Sequence, residues 1–125
     1  MTNWTIDELE SVGGTDELGI SARRADGTLR RYVTIWVVRV GDELYVRSAH
    51  GVDNPWYRRA VASGEGGIRS AGVEKDVSFE DAAPHPHAEI DAAYHAKYDR
   101  YGARVVRPVV GEHSYAATIR LVPAG

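Results

Sequence analysis

The sequence predicts an α+β domain built on an antiparallel sheet of six or seven strands with two or three helices. The first observation is a hairpin between residues 32 and 51, where two β-rich runs flank the polar break Gly41-Asp42-Glu43. The second is that the first run, Tyr32 to Val40, is apolar at nearly every position, as in a strand covered on both faces. Closing such a sheet into a barrel would remove its exposed edges.

The remaining elements follow from periodicity and turn signals. We expect the chain to form one domain, because its 125 residues contain no linker or repeat. The first predicted helix spans Thr2 to Val12, with Thr5 and Glu8 as a capping box, and the third spans His87 to Tyr101. The second is capped by Asp53 or Asn54, has Pro55 in its first turn, and turns Trp56, Ala60 and Val61 inward. The further predicted strands are Leu18 to Ala22, Ile68 to Ala71, Val73 to Phe79, Val105 to Val110 and Ser114 to Val122.

Composition limits the possible partners. The net charge of −3 argues against nucleic acid or a membrane surface, and no apolar run approaches a transmembrane helix. The start of the chain lacks the features of a signal peptide, so we expect a cytoplasmic protein. Between Arg23 and Arg69, however, nine arginines face five acidic residues. This local excess is suited to a discrete anionic ligand, although each arginine could equally be a solvated surface residue.

No catalytic or metal-binding motif is complete. His85 and His87 lie in a loop without an acidic residue at a ligand-like spacing, so no metal site is expected. The run from Gly64 to Gly67 follows a predicted helix rather than a strand, which is not the context of a phosphate-binding loop. Ser48 and His50 could form a nucleophile and base, but their spacing alone does not define a dyad.

A distributed group of residues is the stronger candidate site. In the predicted hairpin, the start of the first strand lies across from the end of the second, so polar and aromatic residues should converge at one end of the sheet. Arginines and hydroxyls can bind phosphate, a helix start favours an anion, and tryptophans can flank a flat ring. The candidates for binding a cofactor are Arg30, Arg31, Thr34, Trp36, Arg47, Ser48, Trp56 and Arg58.

This combination is typical of a site for a phosphorylated planar cofactor such as a flavin. Tyr94, Tyr98 and His50 are the candidates for orienting a substrate or donating a proton. The alternative interpretation is that the tryptophans and the tyrosines of the third helix pack in the core, and that the arginines form surface ion pairs.

The same residues resemble a known family. The segments concerned are Arg24 to Val38, Gly41 to Gly51, Pro55 to Arg58, Tyr94 to Gly102 and Thr118 to Val122, which are similar to the small uncharacterised domains of the domain of unknown function 2255 family. More distantly, the hairpin and the Pro55-Trp56-Tyr57 helix start resemble the deazaflavin-dependent nitroreductase group of flavin-binding split β-barrels.

The distant resemblance implies a split β-barrel, a homodimer, and a cofactor held by the basic turn and the loop after the second strand. The sequence departs from that group in having arginines in place of a lysine-rich turn, Arg59-Ala60 after the Trp-Tyr pair, and an added tyrosine-faced helix. The expected function is therefore a small oxidoreductase dependent on FMN or the deazaflavin F420. The alternative is a cofactor-free binding module or enzyme for a small ligand on the same barrel.

Overall fold

A computed structural model of the chain describes residues 3–82 and 84–124. These residues form seven strands and four α-helices, joined by short 3-10 turns. The strands are β1 (Glu17–Ala22), β2 (Val33–Trp36), β3 (Val38–Val40), β4 (Glu43–Arg47), β5 (Glu65–Ser70), β6 (Val73–Asp81) and β7 (Thr118–Pro123). The helices are α1 (Ile6–Gly13), α2 (Pro55–Ser63), α3 (His87–Tyr98) and α4 (Ala103–Val106).

The strands form a nearly closed antiparallel barrel. Their order in the sheet is β2-β1-β5-β6-β7-β4-β3, and every neighbouring pair is antiparallel. The two strands at the ends of this order, β2 and β3, are consecutive in the chain and are separated only by Val37. The chain therefore closes the barrel by crossing from one end of the sheet to the other. The predicted α+β barrel is confirmed.

The break at Val37 corrects the prediction of one continuous central strand. Before the break, β2 pairs with β1, with Thr34 opposite Gly19. After it, β3 pairs with β4, with Val38 opposite Tyr45. The two halves of the apolar run thus belong to different ends of the sheet, and a gap opens between β2 and the end of β4.

Side chains of α3 satisfy the backbone of the broken strand. The Val37 N–H donates to the Tyr98 hydroxyl at 3.1 Å, and the Lys97 amine donates to the Val37 carbonyl at 2.6 Å. The ring of Tyr98 stacks on Trp36, with centroids 3.9 Å apart and the planes 4° from parallel. A buried backbone group without a partner is costly, so these contacts stabilise the break.

Two apolar clusters flank the β3–β4 hairpin. The larger fills the barrel and includes Val37, Leu44 and Val46. The smaller lies under α3 and includes Val38 and Tyr45, which alternate with the first set along the strands. This part of the run is covered on both faces, as predicted. The prediction is wrong for β2, where residues 33 and 34 are exposed.

The first two helices begin directly after Thr5 and Asn54, but within the described part of the chain only Thr5 makes a capping hydrogen bond through its side chain. Thr5 and Glu8 form the predicted capping box of α1, which begins at Ile6; Thr2 lies outside the described residues. Asn54 precedes α2, Pro55 occupies its first turn, and Gly64 ends it in the left-handed region at φ +75°. Trp56 and Ala60 are buried as expected, but Val61 is 56% exposed, so its predicted inward orientation is wrong.

The chain after α3 differs from prediction. The segment 105–110 is helical rather than a strand, since it spans the end of α4 and a 3-10 turn over Arg107–Val109. The final strand begins at Thr118, because residues 112–117 form another 3-10 turn. A short apolar run is compatible with either helix or strand, and the missing N–H of Pro108 fits a helical first turn. No helix in the described part of the chain is long and apolar enough to cross a membrane.

Candidate ligand-binding site

A cavity of about 380 Å³ lies in the gap between β2 and the end of β4. All four residues of β2 line it, which places it along the open edge of that strand rather than on one face. Its other walls come from the loop after β4, the start of α2 and the region after α3, through Arg47, Ala49, His50, Asn54, Trp56, Val105 and Val109. The cavity is thus a direct consequence of the strand break at Val37.

Two tryptophans, Trp36 and Trp56, form part of the cavity wall. Trp36 is half-buried because Tyr98 covers one face of its ring. Trp56 is 9% exposed and belongs to the barrel core, where it meets the edge of Tyr57. Both side chains are therefore held by protein contacts and present a fixed apolar surface to the cavity. Thr34 is exposed and also lines the cavity.

Arg47 lies beneath the cavity with its guanidinium directed into the protein. The Arg47 side chain is fully buried and donates to Asp91 at 2.5 Å, to the Val109 carbonyl at 2.8 Å and to the Thr118 hydroxyl at 2.9 Å. It also contacts His87 Nδ1 at 3.0 Å. Asp91 in turn accepts from the Gly111 N–H and the Tyr115 hydroxyl. The geometry makes Arg47 a link between β4, α3 and the segment after α4; its predicted contact with a cofactor stays a prediction.

The loop after β4 places two further candidates near the cavity. Ser48 is 1% exposed, and its hydroxyl has no hydrogen-bond partner among residues 3–82 and 84–124. His50 is exposed and lines the cavity. The two side chains are not hydrogen-bonded to each other in this part of the chain, so the contacts do not form the dyad considered above.

Two of the arginines that the sequence predicts to bind phosphate, Arg30 and Arg31, lie beside the cavity rather than in it. Arg30 and Arg31 line a constriction of about 20 Å³ together with Val33, Trp56 and Arg59. Since Val33 and Trp56 also line the cavity, the constriction adjoins it. On its other side, it shares residues with an open cleft of about 950 Å³. The cleft is lined by Arg23, Arg24, Ala25, Arg30, Pro55, Arg58, Arg59, Ala62, Ser63 and Glu65.

Tyr94 and Tyr98 are fully buried and lie outside the lining of the cavity. The Tyr98 hydroxyl accepts from the Val37 N–H and lies 2.6 Å from the Asp16 carbonyl, to which it can donate. Burial raises the pKa of both phenols well above the usual range, so both stay protonated near neutral pH. This placement favours the alternative of core packing, and their predicted role toward a substrate remains untested.

Lys97 is the one lysine of α3, and its environment is unusual. Burial lowers the pKa of its amine to about 8, while Asp16 acts in the opposite direction. Its donation to the Val37 carbonyl fixes the amine at the strand break. Sequence reasoning missed Lys97, Asp91 and His87 as organising residues, because their partners are distant in the chain. No group of His, Asp and Glu able to hold a metal ion occurs among the described residues.

Comparison with known proteins gives a family and a fold. The model of a family described as "Uncharacterized protein conserved in bacteria (DUF2255)" matches residues 8–121. Conserved hypothetical protein Rv2991 from Mycobacterium tuberculosis is 9% identical with a TM-score of 0.62, covering 98% of this chain and 82% of that one. A structure titled F420 Reductase is 14% identical with a TM-score of 0.48, covering 93% of each chain. No curated protein matches the sequence.

Proposed function

The chain belongs to the DUF2255 family, and we propose that it is a small oxidoreductase that binds FMN or the deazaflavin F420 between β2 and β4. The observation that carries this proposal is an apolar cavity with two fixed tryptophans. It adjoins arginines whose guanidinium groups form no hydrogen bond, ion pair or aromatic contact within the described residues. A flavin-type cofactor joins a flat ring to an anionic chain. The ring matches the apolar cavity, and the anionic chain matches the adjoining arginines.

The size and lining of the cavity support a ring-binding role. A volume of about 380 Å³ lies within the range of small-molecule sites, about 300–1,000 Å³. The ring would lie against Trp36 and Trp56, with the Thr34 hydroxyl beside it. The open edge of β2 adds main-chain N–H and C=O groups, since β2 has one hydrogen-bonded neighbour strand in the described sheet.

The anionic end of the cofactor would leave the cavity past Trp56. Arg30 and Arg31 would bind a phosphate there, and Arg58 lies farther along, on the first turn of α2. Guanidinium groups form strong paired hydrogen bonds with phosphate, and a helix start adds a favourable dipole. The Ser48 hydroxyl at the end of β4 lacks a partner among the described residues, but it is buried outside the cavity lining, so its contact with a cofactor stays a prediction.

When bound, such a cofactor supplies hydride transfer. The protein residues bind, orient and exclude water, and His50 is positioned at the cavity to exchange a proton with a bound molecule. Tyr94 and Tyr98 act from the core in this arrangement, by holding Trp36 and α3 in place. The homodimer expected from the sequence is part of the proposal, and light scattering of the purified protein measures it directly.

Cofactor titration tests the proposal. Purified protein is titrated separately with FMN and F420 while cofactor fluorescence and the melting temperature are followed. Val105→Trp places a large ring at an exposed position of the cavity wall, and Val61→Trp makes the same change on α2 away from it.

We expect one cofactor to bind with micromolar affinity or better, Val105→Trp to weaken binding at least tenfold, and Val61→Trp to leave it unchanged. No binding of either cofactor to the folded protein would refute the proposal and favour a cofactor-free barrel.

A further inference from the structure

Six of the arginines in the described residues have guanidinium groups without an ion pair, a hydrogen bond or an aromatic contact in that part of the chain. Four of them cluster at one place, on the turn before β2 and on α2: Arg30, Arg31, Arg58 and Arg59. The other two, Arg104 and Arg107, lie on α4 and just after it. The remaining arginines all have contacts with the protein, including Arg39, Arg69 and Arg120.

The cleft between the turn and α2 concentrates positive charge. Five arginines line it, and the one acidic residue in its lining is Glu65. That carboxylate lies 3.4 Å from Arg23, which also pairs with Asp76 at 3.1 Å. Arg24 is held by the Thr28 hydroxyl and the Leu29 carbonyl. Arg30, Arg58 and Arg59 are therefore not neutralised by described residues, and their mutual repulsion is relieved only by solvent ions or by a ligand.

The cleft is larger than one phosphate requires. Its volume of about 950 Å³ is more than twice that of the ring cavity, and its arginines come from two separate elements. Guanidinium groups from both the turn and α2 can contact an extended anion at several points, whereas a single phosphate could reach only some of these arginines. The hydroxyl of Ser63, at the end of α2, lies 2.8 Å from the Arg23 carbonyl and 2.9 Å from the Glu65 carbonyl and can donate to either, which connects α2 to the turn at that end of the cleft.

We infer that this cleft is a polyanion subsite, which binds a small molecule carrying two or more phosphate or carboxylate groups along a chain. The inference rests on the proposed function in one respect, which is that the flavin-type ring in the cavity and the polyanion in the cleft belong to the same ligand. Binding of the polyanion alone is a property of the cleft, and it is tested without any ring.

The test compares inorganic anions on the complete chain. Calorimetric titration at constant ionic strength measures binding of orthophosphate, pyrophosphate and tripolyphosphate, and tricarballylate serves as the carboxylate probe. We expect tripolyphosphate to bind at least tenfold more tightly than orthophosphate. An affinity for tricarballylate within threefold of that for tripolyphosphate would identify a site that accepts either carboxylate or phosphate groups. A weaker affinity for tricarballylate would identify a site selective for phosphate.

Two double variants carry the same change of charge. Arg58→Glu with Arg59→Glu should weaken tripolyphosphate binding at least 30-fold, whereas Arg104→Glu with Arg107→Glu should change it less than threefold. Should the first pair impair folding, Arg58→Gln with Arg59→Gln gives the same comparison with a smaller loss, about tenfold. Equal affinity for orthophosphate and tripolyphosphate, or equal effects of the two glutamate pairs, would overturn the inference. Flavin binding without polyanion binding would refute the subsite alone.

Discussion

Arg47 and Arg58 illustrate how two arginines near the same site differ in environment. Arg47 is fully buried and makes its contacts with Asp91, Thr118 and the Val109 carbonyl. Arg58 is exposed, and its guanidinium forms no hydrogen bond, ion pair or aromatic contact within the described residues. Both were predicted from the sequence to lie near a ligand, but nothing local distinguishes them, because the partners of Arg47 lie 40 to 71 positions away.

We predict that Arg47→Met lowers the free energy of unfolding by about 3 kcal/mol or more, because it leaves the Asp91 carboxylate without its buried cation. Urea unfolding measures the loss. Arg104→Met, at an exposed position, is the matched control and should change stability by less than about 0.5 kcal/mol. Equal stability of the two variants would mean that the buried pair contributes little to the fold.

Lys97 predicts a specific dependence of stability on pH. Its pKa is lowered to about 8 in the folded protein, from an ordinary value of 10.5. Between these values the unfolded chain binds more protons than the folded one, so the free energy of unfolding should rise with pH. Below pH 8 the cost of burying the charged Lys97 amine lowers the free energy of unfolding to its full extent. Above about pH 10 the free energy of unfolding should fall again, because the raised pKa of the buried tyrosines keeps them protonated in the folded protein while they lose protons in the unfolded chain.

Urea unfolding between pH 7 and pH 10 checks this expectation. The free energy of unfolding should rise by about 1 kcal/mol over this range, a value that allows for solvent screening of the partly exposed Lys97 amine. Lys97→Met should remove it, since methionine does not titrate. A variant with the same slope as the natural protein would show that another group is responsible.

At the scale of elements, the strand break determines the site. The run from Tyr32 to Val40 contains no glycine or proline, so nothing within it marks Val37 as the point of separation. The residues that stabilise the break lie on α3, 60 and 61 positions away. Helix starts, by contrast, depend on neighbours in the chain, which is why the capping box of Thr5 and Glu8 and the position of Pro55 in the first turn of α2 could be identified from the sequence.

We predict that Tyr98→Phe lowers the free energy of unfolding by about 1–3 kcal/mol, because it removes the hydroxyl partner of the Val37 N–H but keeps the ring that stacks on Trp36. Hydrogen exchange of the Val37 amide should become faster in this variant. Tyr101→Phe is the control, since Tyr101 is exposed and its hydroxyl contacts the side chain of Asp16 rather than the Val37 backbone. An unchanged Val37 amide in Tyr98→Phe would show that the break does not depend on α3.

At the scale of the whole molecule, the barrel could be predicted but the cavity could not. Alternating burial and turn signals are local, and they indicate an antiparallel sheet whose edges would be removed by closure. The cavity arises where closure is incomplete, between β2 and the end of β4, which extends beyond the short strand β3. Thr34, Trp36, His50 and Trp56 therefore meet in one cavity through a geometry different from the simple hairpin expected, while Arg30, Arg31 and Arg58 lie beside it.

The central claim is that a flavin-type ring binds along the open edge of β2. Backbone amide chemical shifts, followed by NMR during titration with FMN and with F420, test it most directly. The account predicts the largest shifts at residues 33–36, 49–50 and 105–109, with little change around Asp42 and Val122 on the other side of the barrel. Saturable shifts centred away from β2, or no shifts with either cofactor, would contradict it.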